Sequence, residues 1–270
     1  MKRHIYCFLI FLLSCSQGGE FNGMNNVTEG NKIDAAEIKK LASKKIYFGR
    51  QSVGYNIINA LITLNPADSG VNIIETSDPE DFSKPVFAHS QNGENTKPET
   101  KIAAFVQKMD AGIGNKVDIA FFKFCYVDVT AETDVNKLFN EYKTAMDRLI
   151  KKYPGTRFLH VTVPVTTESR SIKKKLKDLI KGIIGRPVTD QVADNIKRME
   201  FNNLLRKEYG RKLFDLAEIE SSDIYGKVLL SNKGNTPHHA LQENYTFDGG
   251  HLNQKSGEII VKQFLKFINI

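Results

Sequence analysis

The sequence predicts an α/β protein in three layers, a parallel sheet covered by helices on both faces. Three observations carry this prediction. Short apolar runs alternate with helical stripes from Ile33 onward. The run Val117-Asp118-Ile119-Ala120-Phe121-Phe122 is apolar nearly throughout, as expected of a strand covered on both sides. The intervals between strands are long enough for helical crossovers, which parallel neighbours require. The composition agrees: of 270 residues, 41% are apolar and 26% charged, with 19 Gly and 8 Pro, which excludes disordered, collagen-like and low-complexity chains.

The elements follow in order. Residues 34–43 place Ala35, Ile38, Leu41 and Ala42 on a helical stripe. Ile46-Tyr47-Phe48, ended by Gly49, reads as the first strand, and Val53, Ile57, Ile58 and Leu61 form a second stripe. Residues 71–74 are a second strand, followed by a polar loop to Asn95. Pro98 opens a helix with Ile102, Phe105, Val106 and Met109 on one face. After the third strand (117–122) come a helix over 134–152, a fourth strand over 158–163, a long helix over 191–208, a fifth strand at 212–214 and a closing helix over 255–268. Five strands favour a flavodoxin-like order, in which ligands sit at the carboxyl ends of the strands.

The N-terminus reads as an address. A basic head (Lys2, Arg3) and an apolar run from Ile5 to Leu13 precede Ser14-Cys15, a core too short to span a bilayer. Leu12-Leu13-Ser14-Cys15 resembles a bacterial lipobox, whose cysteine is lipidated; a plain signal peptide cleaved nearby is the alternative. The expected organisation is a signal peptide 1–14, a lipidated Gly/Asn-rich tether 15–32 and one domain 33–270, in a membrane-anchored lipoprotein of the bacterial cell envelope.

The strand ends hold the chemistry. After the first strand, Gly49-Arg50-Gln51-Ser52-Val53-Gly54 places a serine at a helix start, where its hydroxyl either caps the helix or faces the crevice near backbone N–H groups. Before the last helix, Asp248-Gly249-Gly250-His251 sets an acid and a histidine on a glycine turn, where the carboxylate could orient the imidazole.

Ser52 after the first strand, with Asp248-Gly249-Gly250-His251 followed by Leu252-Asn253 and Gly257, resembles the SGNH/GDSL hydrolase superfamily. The resemblance spans residues 44–268 in order and topology and implies a flavodoxin-like sheet of SGNH type. It also implies a serine esterase without cofactor or metal: Ser52 as nucleophile, His251 as general base and then acid, and Asp248 as the group that holds the imidazole tautomer. The family's Gly-Asp-Ser is here Gly49-Arg50-Gln51-Ser52. Its middle blocks supply oxyanion donors from a glycine N–H and an asparagine side chain. Asn92-Gly93-Glu94-Asn95 offers Gly93 for the first of these. The expected Gly-x-Asn-Asp after the third strand is replaced by Lys123-Phe124-Cys125-Tyr126-Val127-Asp128, so the second donor falls to Asn95 or to a hydroxyl or thiol near 125 and 126. The implied substrate is a small-molecule or glycan ester such as an O-acetyl group. The competing class is a non-catalytic lipoprotein that binds a glycan or acyl ligand in a retained crevice.

Other signals read as structure. Cys125 is a core thiol or, less in keeping with its type, a nucleophile. His238-His239 on an extended segment point to opposite sides and are expected on a surface loop rather than on a metal. His160 is expected in the core, and His89 in the second loop could line the pocket. The excess of 38 basic over 31 acidic residues is modest and concentrates in residues 170–186, an amphipathic basic helix that could lie on lipid, cover the crevice or dock on its own domain. Nucleic acid is not an expected partner.

Overall fold

The computed structural model describes residues 35–168 and 190–268. The expected signal segment 1–14, the tether 15–32 and the basic helix 170–186 lie outside the described residues. Helix α1 (Ala35–Lys39) runs into a 3-10 turn (Lys40–Ser43) and then strand β1 (Lys45–Arg50). Helix α2 (Ser52–Leu64), β2 (Ile73–Glu75), β3 (Val86–Gln91), α3 (Pro98–Asp110), β4 (Ile119–Phe122) and α4 (Val135–Lys152) follow. Beyond these come β5 (Arg157–Phe158), β6 (His160–Val161), α5 (Gln191–Tyr209), β7 (Leu213–Phe214), α6 (Leu216–Glu220) and α7 (Gln254–Ile268).

The main sheet has the order β2-β3-β1-β4-β5 and every pairing in it is parallel. A single residue separates β5 from β6, and its N–H donates to the Ala120 carbonyl of β4 at 3.1 Å. Strand β6 then pairs in parallel with β7. The fourth predicted strand is thus one bent strand, interrupted at Leu159, that hands the chain from β4 to β7. Strands β3, β1, β4, β5–β6 and β7 follow the flavodoxin-like order, with β2 added at the edge.

One expectation is corrected. The polar loop expected up to Asn95 contains β3, a strand buried between β1 and β2. Its apolar part is only Val86-Phe87-Ala88, and the polar His89-Ser90-Gln91 that completes it disguises the strand. Those polar side chains are accommodated because β3 neighbours supply partners: Arg50 for His89, and Tyr47 Oη and Lys108 for Ser90. The segment read as the second strand is the half-buried edge strand β2.

Alternation along β1 divides the core. Ile46 and Phe48 face one layer with Ile58 and Leu61 of α2 and Ile260 and Phe264 of α7. Tyr47 faces the other with Phe105 of α3, Tyr142 of α4 and Phe201 of α5. Burial on both faces explains why β4 is apolar at every position and β1 from Ile46 to Phe48. Burying a large apolar side chain contributes on the order of 1.5–3 kcal/mol, so these two layers hold the strand ends at a set height. The chain leaves β1 toward β3 on one side and later returns to β4 on the other, which opens a crevice above β1 and β4.

Candidate active site

Ser52 is the first helical residue of α2, and Gln51, extended, occupies the cap position without a side-chain capping bond. The capping role considered for Ser52 is therefore not the one it plays. The first intrahelical donor is Tyr55, whose N–H reaches the Gln51 carbonyl at 2.9 Å. The preceding N–H groups of Ser52, Val53 and Gly54 have no acceptor in the helix, so its positive end is open beside the Ser52 hydroxyl. Gln51 instead donates from its side chain to the carbonyls of Asn92 and Gly93, tying the loop after β1 to the loop after β3.

Gly93 has φ +65°, and a Cβ on it would meet the backbone of Lys101 at 2.6 Å, so only glycine fits here. Its N–H has no acceptor among the described residues. Asn95, the other candidate donor, is exposed, and its side-chain carbonyl accepts from Lys101 Nζ at 2.9 Å. Arg50, which stands where the resemblance expects an acid, is engaged by β2, β3 and α2. It is buried, donates from Nε to His89 Nδ1 at 3.2 Å, pairs with Glu75 at 2.7 Å and lies 4.7 Å from the Tyr55 ring centroid. His89 does not line a pocket loop: it is buried in β3, and burial together with Arg50 lowers its pKa, keeping it a neutral acceptor.

Asp248 and His251 are brought together. Their loop is closed by an antiparallel bridge between Thr246 and Leu252. Asp248 Oδ1 accepts the N–H groups of Gly250 at 2.9 Å and His251 at 2.8 Å, and Oδ2 accepts from His251 Nδ1 at 2.5 Å. Burial pushes this carboxyl up, but hydrogen bonds from the His251 ring and from the backbone of His251 and Gly250 overcome it and hold the pKa down to about 2. A carboxylate facing Nδ1 sets the proton there and leaves Nε2 as the basic nitrogen. Nε2 has no partner among the described residues, and no hydrogen bond joins His251 to Ser52. Catalytic contacts of this kind commonly tighten only when substrate is bound.

The loop after β4 carries groups that motif reading passed over. Asp128 is buried and accepts the N–H of Cys125 at 2.6 Å and of Thr96 at 2.9 Å, and it pairs with the buried Lys101. Lys123 is buried with one hydrogen bond, to the Phe124 carbonyl at 3.2 Å, and burial lowers its pKa. Glu220, also buried, accepts from Val165 N at 2.7 Å, and burial raises its carboxyl well above the usual carboxylate range. Cys125 is buried, in keeping with a core thiol. Arg198, buried on α5, donates to the carbonyls of Tyr126 and Val129 and to Thr166 and Asn195. A signal for it existed: Asp194 and Arg198 share a helix face with Phe201 and Leu205.

A cavity of about 310 Å³ opens beside Asp248, Gly249 and Gly250, with Tyr126, Thr130, Thr166 and Arg198 among its walls. Its wall next to the acid–histidine pair is more apolar than polar, with threonine hydroxyls and the committed Arg198 guanidinium set into it.

The remaining histidines are placed as follows. His160 is in the core, 2.8 Å from Tyr142 Oη and stacked on Tyr209. His238 and His239 are not on a surface loop. Both are buried, His238 bonded to Glu168 and His239 beside Arg206. The loop folds inward because Glu168 also accepts from Ser231 at 2.6 Å, which gives the segment an interior anchor. The two rings do point to different partners. No group of three or more His, Cys, Asp or Glu able to hold a metal occurs among the described residues.

No family model matches the chain, and no curated protein does. Among solved structures, the chain is similar to a protein provisionally described as a platelet activating factor from Streptococcus pneumonia. That match has 16% identity and a TM-score of 0.49, covering 87% of this chain and 90% of that one. It is also similar to a protein provisionally described as lipolytic and of the G-D-S-L family, from Desulfitobacterium hafniense DCB-2, with 10% identity, a TM-score of 0.41, and coverage of 83% and 99%. A third is the periplasmic domain of a Salmonella ser. Paratyphi A lipopolysaccharide acetyltransferase, with 10% identity, a TM-score of 0.41, and coverage of 93% and 100%. The fold class stands on the strand order and flanking helices of this chain.

Proposed function

We propose that this chain is a serine ester hydrolase of SGNH type, held at the bacterial cell envelope by a lipid on Cys15, and that it removes an O-acyl group such as an acetyl from a glycan or small molecule. The observation that carries this reading is the Asp248–His251 pair, an anionic carboxylate on Nδ1 leaving Nε2 basic, set at the strand-end crevice beside a cavity of about 310 Å³. In this mechanism His251 Nε2 takes the Ser52 hydroxyl proton as Oγ attacks the ester carbonyl. The open N–H of Ser52 and that of Gly93 stabilise the oxyanion. Collapse expels the alcohol, which receives the proton from His251, and leaves an acyl-serine. Water, deprotonated by the same histidine, then releases the acid. No metal or cofactor enters any of these steps.

The absence of a Ser52–His251 hydrogen bond favours a second reading, a binding protein that keeps the crevice without turnover. One experiment separates the two. The full chain, isolated from membranes and treated with an organophosphonate, is weighed intact beside Ser52→Ala, and both are assayed on an activated acetyl ester. The hydrolase reading expects a wild-type adduct on Ser52, no adduct and no turnover in Ser52→Ala, and the mass of a lipid on Cys15. Turnover retained by Ser52→Ala would sink the nucleophile, and a mature chain without lipid would sink the anchor.

A further inference from the structure

The loop after β4 lacks the asparagine that the hydrolase reading needs as an oxyanion donor, yet a different donor stands beside the acid–histidine pair. Tyr126 opens the 3-10 turn Tyr126–Asp128, and its backbone is pinned by Arg198 Nε, which donates to the Tyr126 carbonyl at 2.9 Å. Its ring packs edge-on against the His251 imidazole, with centroids 5.8 Å apart and planes at 74°. On the same side it lies so close to Gly250 that a Cβ there would meet Cζ at 2.7 Å and the hydroxyl oxygen at 2.8 Å. The residue is half-buried on the wall of the 310 Å³ cavity that Asp248, Gly249 and Gly250 also line. The hydroxyl has no hydrogen-bond partner among the described residues.

We propose that the Tyr126 hydroxyl is a catalytic hydrogen-bond donor to the ester oxygen that becomes negative during attack, replacing the missing asparagine side chain. This rests on the hydrolase reading above and names one more group in it. The phenol gives up no proton in the step. It only strengthens a hydrogen bond as charge grows on the oxygen, which is what raises rate without tightening ground-state binding. Burial first, and then the Asp248 carboxylate and the Cys125 thiol, push the phenol up to about 12, so it remains a neutral donor across the working range. The other candidates are placed differently: the Cys125 thiol is buried, and Asn95 lies exposed in the loop after β3 and does not line the cavity.

Gly250 supplies an independent handle. Its φ is not in the left-handed region, so alanine fits the backbone, and the new methyl would act chiefly by pushing the phenol away. The experiment is a double-mutant cycle in the full chain, with kcat and KM measured on an activated acetyl ester and the rate of organophosphonate labelling followed in parallel. Tyr126→Phe is expected to lower kcat by about 10²- to 10³-fold, with KM nearly unchanged, labelling slowed to match, and thermal stability retained. Gly250→Ala is expected to lower kcat in the wild-type background but to add little in the Tyr126→Phe background. An active wild type whose Tyr126→Phe variant is equally active overturns the role of Tyr126 alone. So does a Gly250→Ala loss of equal size in both backgrounds, which would mean that the ring only packs against His251. A wild type with neither turnover nor a Ser52 adduct overturns the hydrolase reading and this proposal together.

Discussion

Two loops border the crevice and are built in opposite ways. The Asp248–His251 loop is wet: the two side chains are 56% and 39% exposed, and the hydrogen bonds they make lie within residues 246–252, with one bond from outside, the Thr167 N–H to the Gly249 carbonyl at 2.9 Å. The loop after β4 is dry. Its Asp128 and the Lys101 it binds are fully buried and come from segments 27 residues apart, while Arg198 reaches it from α5. The first loop spends little of the fold's stability on its geometry, because its carboxylate and imidazole keep contact with water and need not be desolvated. The second depends on the fold entirely, since a buried ion separated from its partner has no water to turn to. Chemistry and stability are therefore expected to separate between the two loops.

The largest effect expected is on the wet loop. Asp248→Asn should lower kcat on an activated ester on the order of 10⁴-fold by loss of the imidazole tautomer and its orientation. The midpoint of urea unfolding should fall only modestly, because the contribution of the depressed carboxyl is screened by its exposure to water. A large drop in that midpoint would show that the loop is not self-contained.

On the dry side the sign of the comparison reverses. Lys101→Met keeps the side-chain length but strands the Asp128 carboxylate, at a cost of about 3–5 kcal/mol, read by urea unfolding. Asp128→Asn in the same chain should recover part of it. Equal stability of Lys101→Met and wild type would show that water reaches Asp128.

The smallest effect is a dependence on pH carried by a buried histidine. Burial lowers the His160 pKa from 6.5 to about 3, with Lys212 adding to it. Below pH 6.5 the unfolded chain binds a proton there that the folded chain refuses until about pH 3, so stability falls as pH drops through that window. His160→Asn should flatten this slope relative to wild type in unfolding curves between pH 6.5 and 4. An unchanged slope would assign the acid sensitivity elsewhere.

The same contrast explains what could be read in advance. Asp248-Gly249-Gly250-His251 was legible because its hydrogen bonds span three residues, so spacing alone predicts the pair. Helices α2, α3, α4, α5 and α7 were legible from apolar stripes, and α3 has Pro98 at its start while Asp134 and Asp190 cap α4 and α5. Strand β3 was not, because half of it is polar and its partners, Arg50, Tyr47 and Lys108, are donated by other elements. The inward fold of His238 escaped for the same reason, since Glu168 lies 70 residues away. Arg50, read as a departure from a motif, proved to be a clamp across β1, β2 and β3.

By itself the sequence determined what short-range physics controls: the alternation of strands and helices, the layered architecture and the acid–histidine turn. Tertiary structure alone decided which polar groups are taken out of water. It placed Lys101 on Asp128, buried Lys123 and Glu220 beneath the crevice, and set Tyr126 against Gly250 and His251. Such placements depend on contacts between residues far apart in the chain, where burial rather than spacing sets the free energy, and no local pattern in the sequence records them.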